Sequence, residues 1–257
     1  MKITKYEITT KKLDNELRIA CVSDVHGRRV PGAISALKAI DPDVILLAGD
    51  ILEISVDYMK QRNETSLNFL EQISAIAPTY YCFGNHEIYF SHAKRGQSKV
   101  SDPDLLKRNI KRIDSLGIHI VNDSVEPFGD KIAIGGVVCG YDKDPSDRRD
   151  APSVSTIEML DNSNKFKILL CHYPHYYHKH LKNSKLDLIV SGHAHGGQWR
   201  LFGRGIYAPH QGIFPRYTSG IYDGRFIINR GAANNARPIP RLFNPCEVLD
   251  IHIIPKK

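Results

Sequence analysis

No run of eighteen apolar residues occurs in this 257-residue chain, so no segment is suited to cross a bilayer as a helix. The start, MKITKYEITTKKLDNELR, lacks the apolar stretch that follows the lysines of a secretory signal. Cysteine is scarce, with five residues at 21, 82, 139, 171 and 246 and no C-x-x-C spacing. An odd count without a leader argues against a disulfide framework and suits a reducing compartment, so a cytoplasmic location is expected. Cys21, Cys82, Cys139 and Cys171 each end or follow an apolar stretch and are expected to be small buried residues. There is no zinc-finger or RRM signature, hence no dedicated nucleic-acid-binding module. No internal repeat and no linker divides the chain, so residues 1–257 read as a single domain.

Apolar residues make up 42% and charged residues 25%, close to a soluble globular average, which excludes disorder, collagen and coiled coil. The formal charge is +7. Such a balance favours anionic partners: phosphate esters, nucleic acid or an anionic lipid surface. A merely basic surface fits it equally well.

The periodicity predicts an edge strand over 2–9, buried strands over 17–22, 44–48 and 79–83, and helices over 31–40, 57–76 and 102–116. Segments 118–121, 124–128 and 131–138 read as a meander. Stretches 91–101 and 141–152 read as loops. Strands 166–171 and 186–190 follow, then strands near Ile221, over 226–229 and over 248–254. One pattern recurs. After residues 22, 48, 83, 171 and 190 an apolar strand ends and a Gly, Asp, Asn or His follows at once or after one serine. Ligands of α/β sheets bind outside the carboxyl ends of strands, so five strand ends deliver polar groups to one rim.

Those groups are Asp24, His26, Asp50, Asn85, His86, His172, His193 and His195. Two carboxylates, an amide and five imidazoles, with no thiolate, suit Mn, Fe, Zn or Co. Taken singly, Asp24 and Asp50 also read as helix N-caps, Asn85 as a turn residue, and each histidine as a surface or core residue. Five such accidents at five strand ends explain the set poorly. Gly49, Gly84 and Gly192 each precede a ligand and are expected to permit sharp turns.

Asp24-x-His26, Gly49-Asp50, Gly84-Asn85-His86-Glu87, His172 and Gly192-His193-x-His195 together resemble the calcineurin-like metallophosphoesterase superfamily, block by block and in order. The runs GHAHGGQWRLFGRGIYAPHQGIFPRYTSGIY and RGAANNARPIPRLFNPCEV resemble its YkuE/YaeI-type phosphodiesterase branch. The resemblance implies an α/β fold, an αββα sandwich of two mixed β-sheets flanked by helices. It implies two divalent metal ions, one held by Asp24, His26, Asp50 and His195, the other by Asp50, Asn85, His172 and His193. Asp50 and a hydroxide would bridge them, the hydroxide would attack phosphorus in line, and His86 would stand beside the metals as the catalytic residue. The implied activity is a metal-dependent phosphodiesterase.

Three places bear comparison with related patterns, the first a mild change and the other two departures. Glu53 stands where a carboxylate often follows the bridging Asp, GDILEIS lacks the arginine of the protein Ser/Thr phosphatases, and Pro174 is followed by His175. HYPHYYHKH, residues 172–180, reads either as a substrate wall or as an amphipathic cover over the core. Phe214, Arg216 and Tyr217 read as candidate lining of the site. A second expectation is a peripheral membrane enzyme cleaving a lipid-linked pyrophosphate of the UDP-diacylglucosamine type, with Trp199, Leu201, Phe202 and Phe214 meeting anionic lipid. A third, a non-enzymatic scaffold, would be expected to show a broken ligand set, and none of these ligands is missing.

Overall fold

The computed structural model describes residues 1–53, 59–92, 105–138, 151–234 and 240–256. Strands β2 (Leu17–Val22), β3 (Val44–Ala48) and β4 (Thr79–Cys82) are short apolar runs with nearly every residue buried, as strands covered on both faces must be. They pair in parallel and extend through β5 (His119–Ile120) on one side. On the other side lie β16 (Glu247–Pro255), antiparallel to β2, and β1 (Lys2–Thr10), parallel to β16 at the edge. The second six-stranded sheet runs β14 (Gly220–Tyr222), β15 (Phe226–Ile228), β9 (Leu188–Ser191), β8 (Phe166–Cys171), β7 (Ile132–Val137) and β6 (Ser124–Phe128).

Alternation along each strand divides the apolar residues into three layers. Ile19, Cys21, Leu46, Ala48 and Tyr80 face Ile134, Ile168, Leu170, Val190 and Ile227 across the gap between the sheets. Ala20, Val22, Ile45, Leu47 and Tyr81 point the other way, under helices α1 (Ala33–Ile40), α2 (Met59–Ser74) and α4 (Leu105–Ser115). Leu169, Cys171, Ile189 and Phe226 lie under α5 (Val154–Asp161) and a π-helical turn at Tyr177–Leu181. The result is the expected αββα sandwich of two mixed sheets. Each fully buried Leu, Ile or Phe contributes roughly 1.5–3 kcal/mol, so all three layers matter.

The expected meander is corrected. β5 joins β4 in the first sheet, while β6 and β7 form an antiparallel hairpin in the second. Asp123 adopts φ 47° between them, a left-handed turn that carries the chain from one sheet to the other. Short apolar runs show where strands are, not which sheet receives them. Helix α5 is an element the periodicity did not predict. The predicted loops at 91–101 and 141–152 lie mostly outside the described residues, as does Cys139; Ser91 and His92 end helix α3 (Asn85–His92). Cys21, Cys82 and Cys171 are buried as expected.

Beyond β9 the chain forms two small hairpins, β10 (Arg200–Leu201) with β11 (Arg204–Gly205) and β12 (Tyr207–Ala208) with β13 (Gly212–Ile213). No helix among the described residues is long and apolar enough to cross a membrane.

Candidate metal centre

The carboxyl ends of β2, β3, β4, β8 and β9 meet at one rim where the two sheets converge. Backbone bonds join the loops leaving them: Asp24 N–H donates to the Gly49 carbonyl at 3.0 Å and His26 N–H to that of Asp50 at 2.9 Å. His193 N–H, from the second sheet, donates to the Asp24 carboxylate at 3.1 Å. Asp24, His26, Asp50, His193 and His195 all have φ between 46° and 65°. Such backbone costs a non-glycine residue about 1–3 kcal/mol, and it persists only where the surroundings impose it. Here it turns five side chains sharply inward at strand ends.

The preceding glycines act differently from one another. Gly49 does have a positive φ, 87°. Gly84 and Gly192 do not; they are required by close approach, correcting the expectation of turns at all three. A Cβ on Gly84 would stand 2.3 Å from Asp50 Oδ1, and one on Gly192 2.6 Å from Asp24 Oδ2.

The ligand-type atoms converge in two main trios, Asp24 with His26 and His195, and Asp50 with His172 and His193, each within 4.8 Å. In the first, His26 Nε2 and His195 Nε2 are 3.3 Å apart, and His195 Nε2 is 3.5 Å from Asp24 Oδ1. In the second, His172 Nε2 is 3.0 Å from Asp50 Oδ2. His172 Nδ1 lies 2.6 Å from the Ala48 carbonyl. As the N–H tautomer it donates there and leaves Nε2 as the ligating atom. Asn85 Oδ1 and His193 Nε2 are buried with no hydrogen-bond partner. Buried polar atoms are ordinarily satisfied. Neutral N and O donors orphaned beside a carboxylate are what a divalent cation would complete, so the residues fit the expected ions.

His86 belongs to neither trio but borders both. Its Nδ1 is 2.9 Å from Glu53 Oε1 and its Nε2 is 3.9 Å from Asp50 Oδ2. Its side chain is 20% exposed. Glu53 also approaches His26 Nδ1 at 3.4 Å, and His26, Glu53 and His86 form a third close group.

Electrostatics separate the histidines. Burial is the largest influence on His86 and His172 and lowers both pKa values, but Asp50 together with Glu53 and Glu87 at His86, and Asp50 together with Asp24 and the Ala48 carbonyl at His172, outweighs it, and both rise to about 9. Burial, reinforced by neighbouring cationic groups, holds His193 and His195 well below the usual range. Burial works to raise Asp50 and Glu53, yet the imidazoles beside them hold both carboxyls low. Asp24 is raised by burial and by the Asp50 charge.

Several residues here escaped the sequence reading. Glu87 is fully buried, and its carboxylate accepts the N–H groups of Asp50, Leu52 and Gly84 and the Tyr81 hydroxyl at 2.6–3.0 Å. It lies inside the Gly84–Glu87 block, but nothing in the spacing marks it as a hub. Arg241 Nη2 lies 3.2 Å from His195 Nδ1 and donates to the Ala233 carbonyl, while its Nε and Nη1 are buried without a partner. His210 stacks on His193, with ring centroids 5.1 Å apart. A lone arginine or histidine in a loop carries no sequence signal.

Of the aromatic run, Tyr173 packs on His193, but Tyr176 and Tyr177 belong to the core and His178 and His180 are exposed. That segment is mainly the amphipathic cover. Tyr217 is likewise a core residue, whereas Phe214 and Arg216 are exposed.

A Helicobacter pylori protein named "Uncharacterized metallophosphoesterase" is 25% identical over 268 residues, covering 99% of this chain and 64% of the relative. The chain thus spans less than two thirds of that relative's length. An Aquifex aeolicus protein of the same name is 25% identical over 98% of this chain and 92% of its own. The crystal structure of TT1561 of Thermus thermophilus aligns over 69% of this chain and 82% of its own, with 13% identity and a TM-score of 0.48. The calcineurin-like phosphoesterase model spans residues 17–197, the stretch holding all the candidate ligands, and the chain belongs to that family.

Proposed function

We propose that the protein is a dimetal phosphodiesterase whose ions are held by Asp24, His26, Asp50 and His195 on one side and by Asp50, Asn85, His172 and His193 on the other. When bound, two divalent cations supply Lewis acidity, lowering the pKa of water and drawing charge from phosphoryl oxygens. Family membership supports metal-dependent hydrolysis of a phosphoric ester. The observation that carries the reading of acid-assisted ester hydrolysis is His86, and the choice of a diester over a monoester is part of the proposal. It is the most exposed of the histidines in the three close groups, and its Nδ1 is held against the Glu53 carboxylate. Protonated at Nε2, it can donate to the departing oxygen. An alkoxide leaves a phosphodiester readily only when a proton reaches it. Glu53 fixes the ring, and Arg241, with two buried donors beside His195, offers charge to a non-bridging phosphoryl oxygen.

The test is turnover of bis-p-nitrophenyl phosphate against p-nitrophenyl phosphate by the Mn-loaded protein. Faster cleavage of the diester is expected. Faster cleavage of the monoester, or no cleavage of either by a folded sample holding two ions, would contradict the reading.

A further inference from the structure

Directly after the ligands His193 and His195, the chain builds a surface that packing does not explain. Phe202 is 96% exposed, Phe243 86%, Phe214 76% and Ile213 72%, with Leu201, Leu242 and Trp199 also exposed. Phe202, Phe214 and Phe243 all sit at φ 49–54°, where Gly or Asn would be less strained. At Phe202 that backbone belongs to the two-residue turn Phe202-Gly203 between β10 and β11, a place that favours Asn or Gly, and the phenyl ring there packs on no core.

These residues share one face. Leu201, Phe202, Arg204 and Phe214 line one shallow cavity, and Arg200, Arg204, Phe214 and Arg216 line the next. Trp199 bridges to Leu242, and Arg200 N–H donates to the Leu242 carbonyl at 3.0 Å. The face is anchored to the metal centre: Asn244 donates to the carbonyls of His195 and Gln198, and Arg241 reaches His195 from the same turn whose Leu242 and Phe243 point outward.

Its charge is one-sided: the charged side chains lining the two cavities are Arg200, Arg204 and Arg216, with no carboxylate among them. Apolar tips interleaved with exposed guanidinium groups match a layer of acyl chains beneath lipid phosphates.

We infer that this face, centred on Trp199, Phe202, Phe214 and Phe243 and flanked by Arg204 and Arg216, docks on an anionic lipid bilayer and holds the metal rim beside the membrane surface. The inference is independent of the phosphodiesterase reading, because its test reads binding rather than turnover.

The test is co-sedimentation of the full chain with phosphatidylcholine vesicles, with and without about one third phosphatidylglycerol, at low and high salt. Trp199, the only tryptophan, supplies a fluorescence reporter. Binding to the anionic vesicles about tenfold stronger than to neutral ones, weakened by salt and accompanied by a blue shift, is expected. The double variant Phe202→Asn/Phe243→Asn suits the left-handed backbone and should fold and keep its metals, yet lose about tenfold in vesicle binding. Arg204→Gln/Arg216→Gln should lose several-fold and flatten the salt dependence. No binding by the wild type at low salt, or binding untouched by the Phe substitutions, would overturn the inference. So would sedimentation showing that those substitutions instead abolish self-association of a vesicle-inert chain, which would assign the face to a second copy.

Discussion

At the scale of single residues, the rim is governed by distances too short for ordinary side chains. Gly84 and Gly192 sit where any Cβ would collide with Asp50 or Asp24. Gly84→Ala is expected to displace Asp50, lowering bound metal per chain and thermal stability together, as read by mass spectrometry and a melting curve. His86 differs because it belongs to neither trio, although it borders His26 and Asp50. His86→Gln is expected to keep full metal content while turnover of a diester with an alkoxide leaving group falls about 10²- to 10⁴-fold, the range for a lost general acid, and cleavage of bis-p-nitrophenyl phosphate, whose leaving group needs no proton, falls far less. A fall in metal content alongside activity would instead make His86 a ligand. Protonation adds a further expectation. In the metal-free site His172 has a pKa of about 9, so at neutral pH it carries a proton that a cation must displace. Metal uptake at pH 7 should therefore release a proton, and affinity should climb as pH rises towards 9. Calorimetry in buffers of different ionisation enthalpy measures this directly.

Among the elements, the loops after β3 and β4 are tied by Glu87 at the start of α3. Asp50 Oδ1 in turn accepts the His86 N–H in the first turn of that helix at 2.9 Å, complementing the exposed amide and the helix dipole. Glu87→Ala strands four buried donors and is expected to cost about 4 kcal/mol or more in urea unfolding, since each unsatisfied buried group costs about 1–3 kcal/mol. Strands β2, β3 and β8 were legible to the residue because apolar runs end abruptly in Gly, Asp or His. Helix α5 was not, being an eight-residue element with only Thr156 and Leu160 buried. The β5–β7 segment could be recognised as strands but not assigned to sheets, because sheet membership is decided by long-range pairing and a turn at Asp123.

Across the whole molecule, the site exists only because two separate sheets face each other. Their junction includes a buried pair: Arg230, after β15, donates through Nε and Nη2 to the carboxylate of Glu247 on β16, which also accepts the Thr4 hydroxyl. Glu247→Ala leaves that arginine buried and unpaired, at an expected cost of about 3–5 kcal/mol. The candidate ligands could be listed from the sequence, since strand ends and residue types mark them. Their division into two trios 4.8 Å across, and the inward reach of Arg241 from a distant loop, depend on how the sheets pack and leave no local signature. The most direct test of a two-ion centre is a count of Mn bound per folded chain by equilibrium dialysis, on wild type and on His193→Ala. The account predicts two ions for the wild type and a weakened second site, with the first retained, for the variant. A folded wild-type chain that binds one ion or none would contradict it.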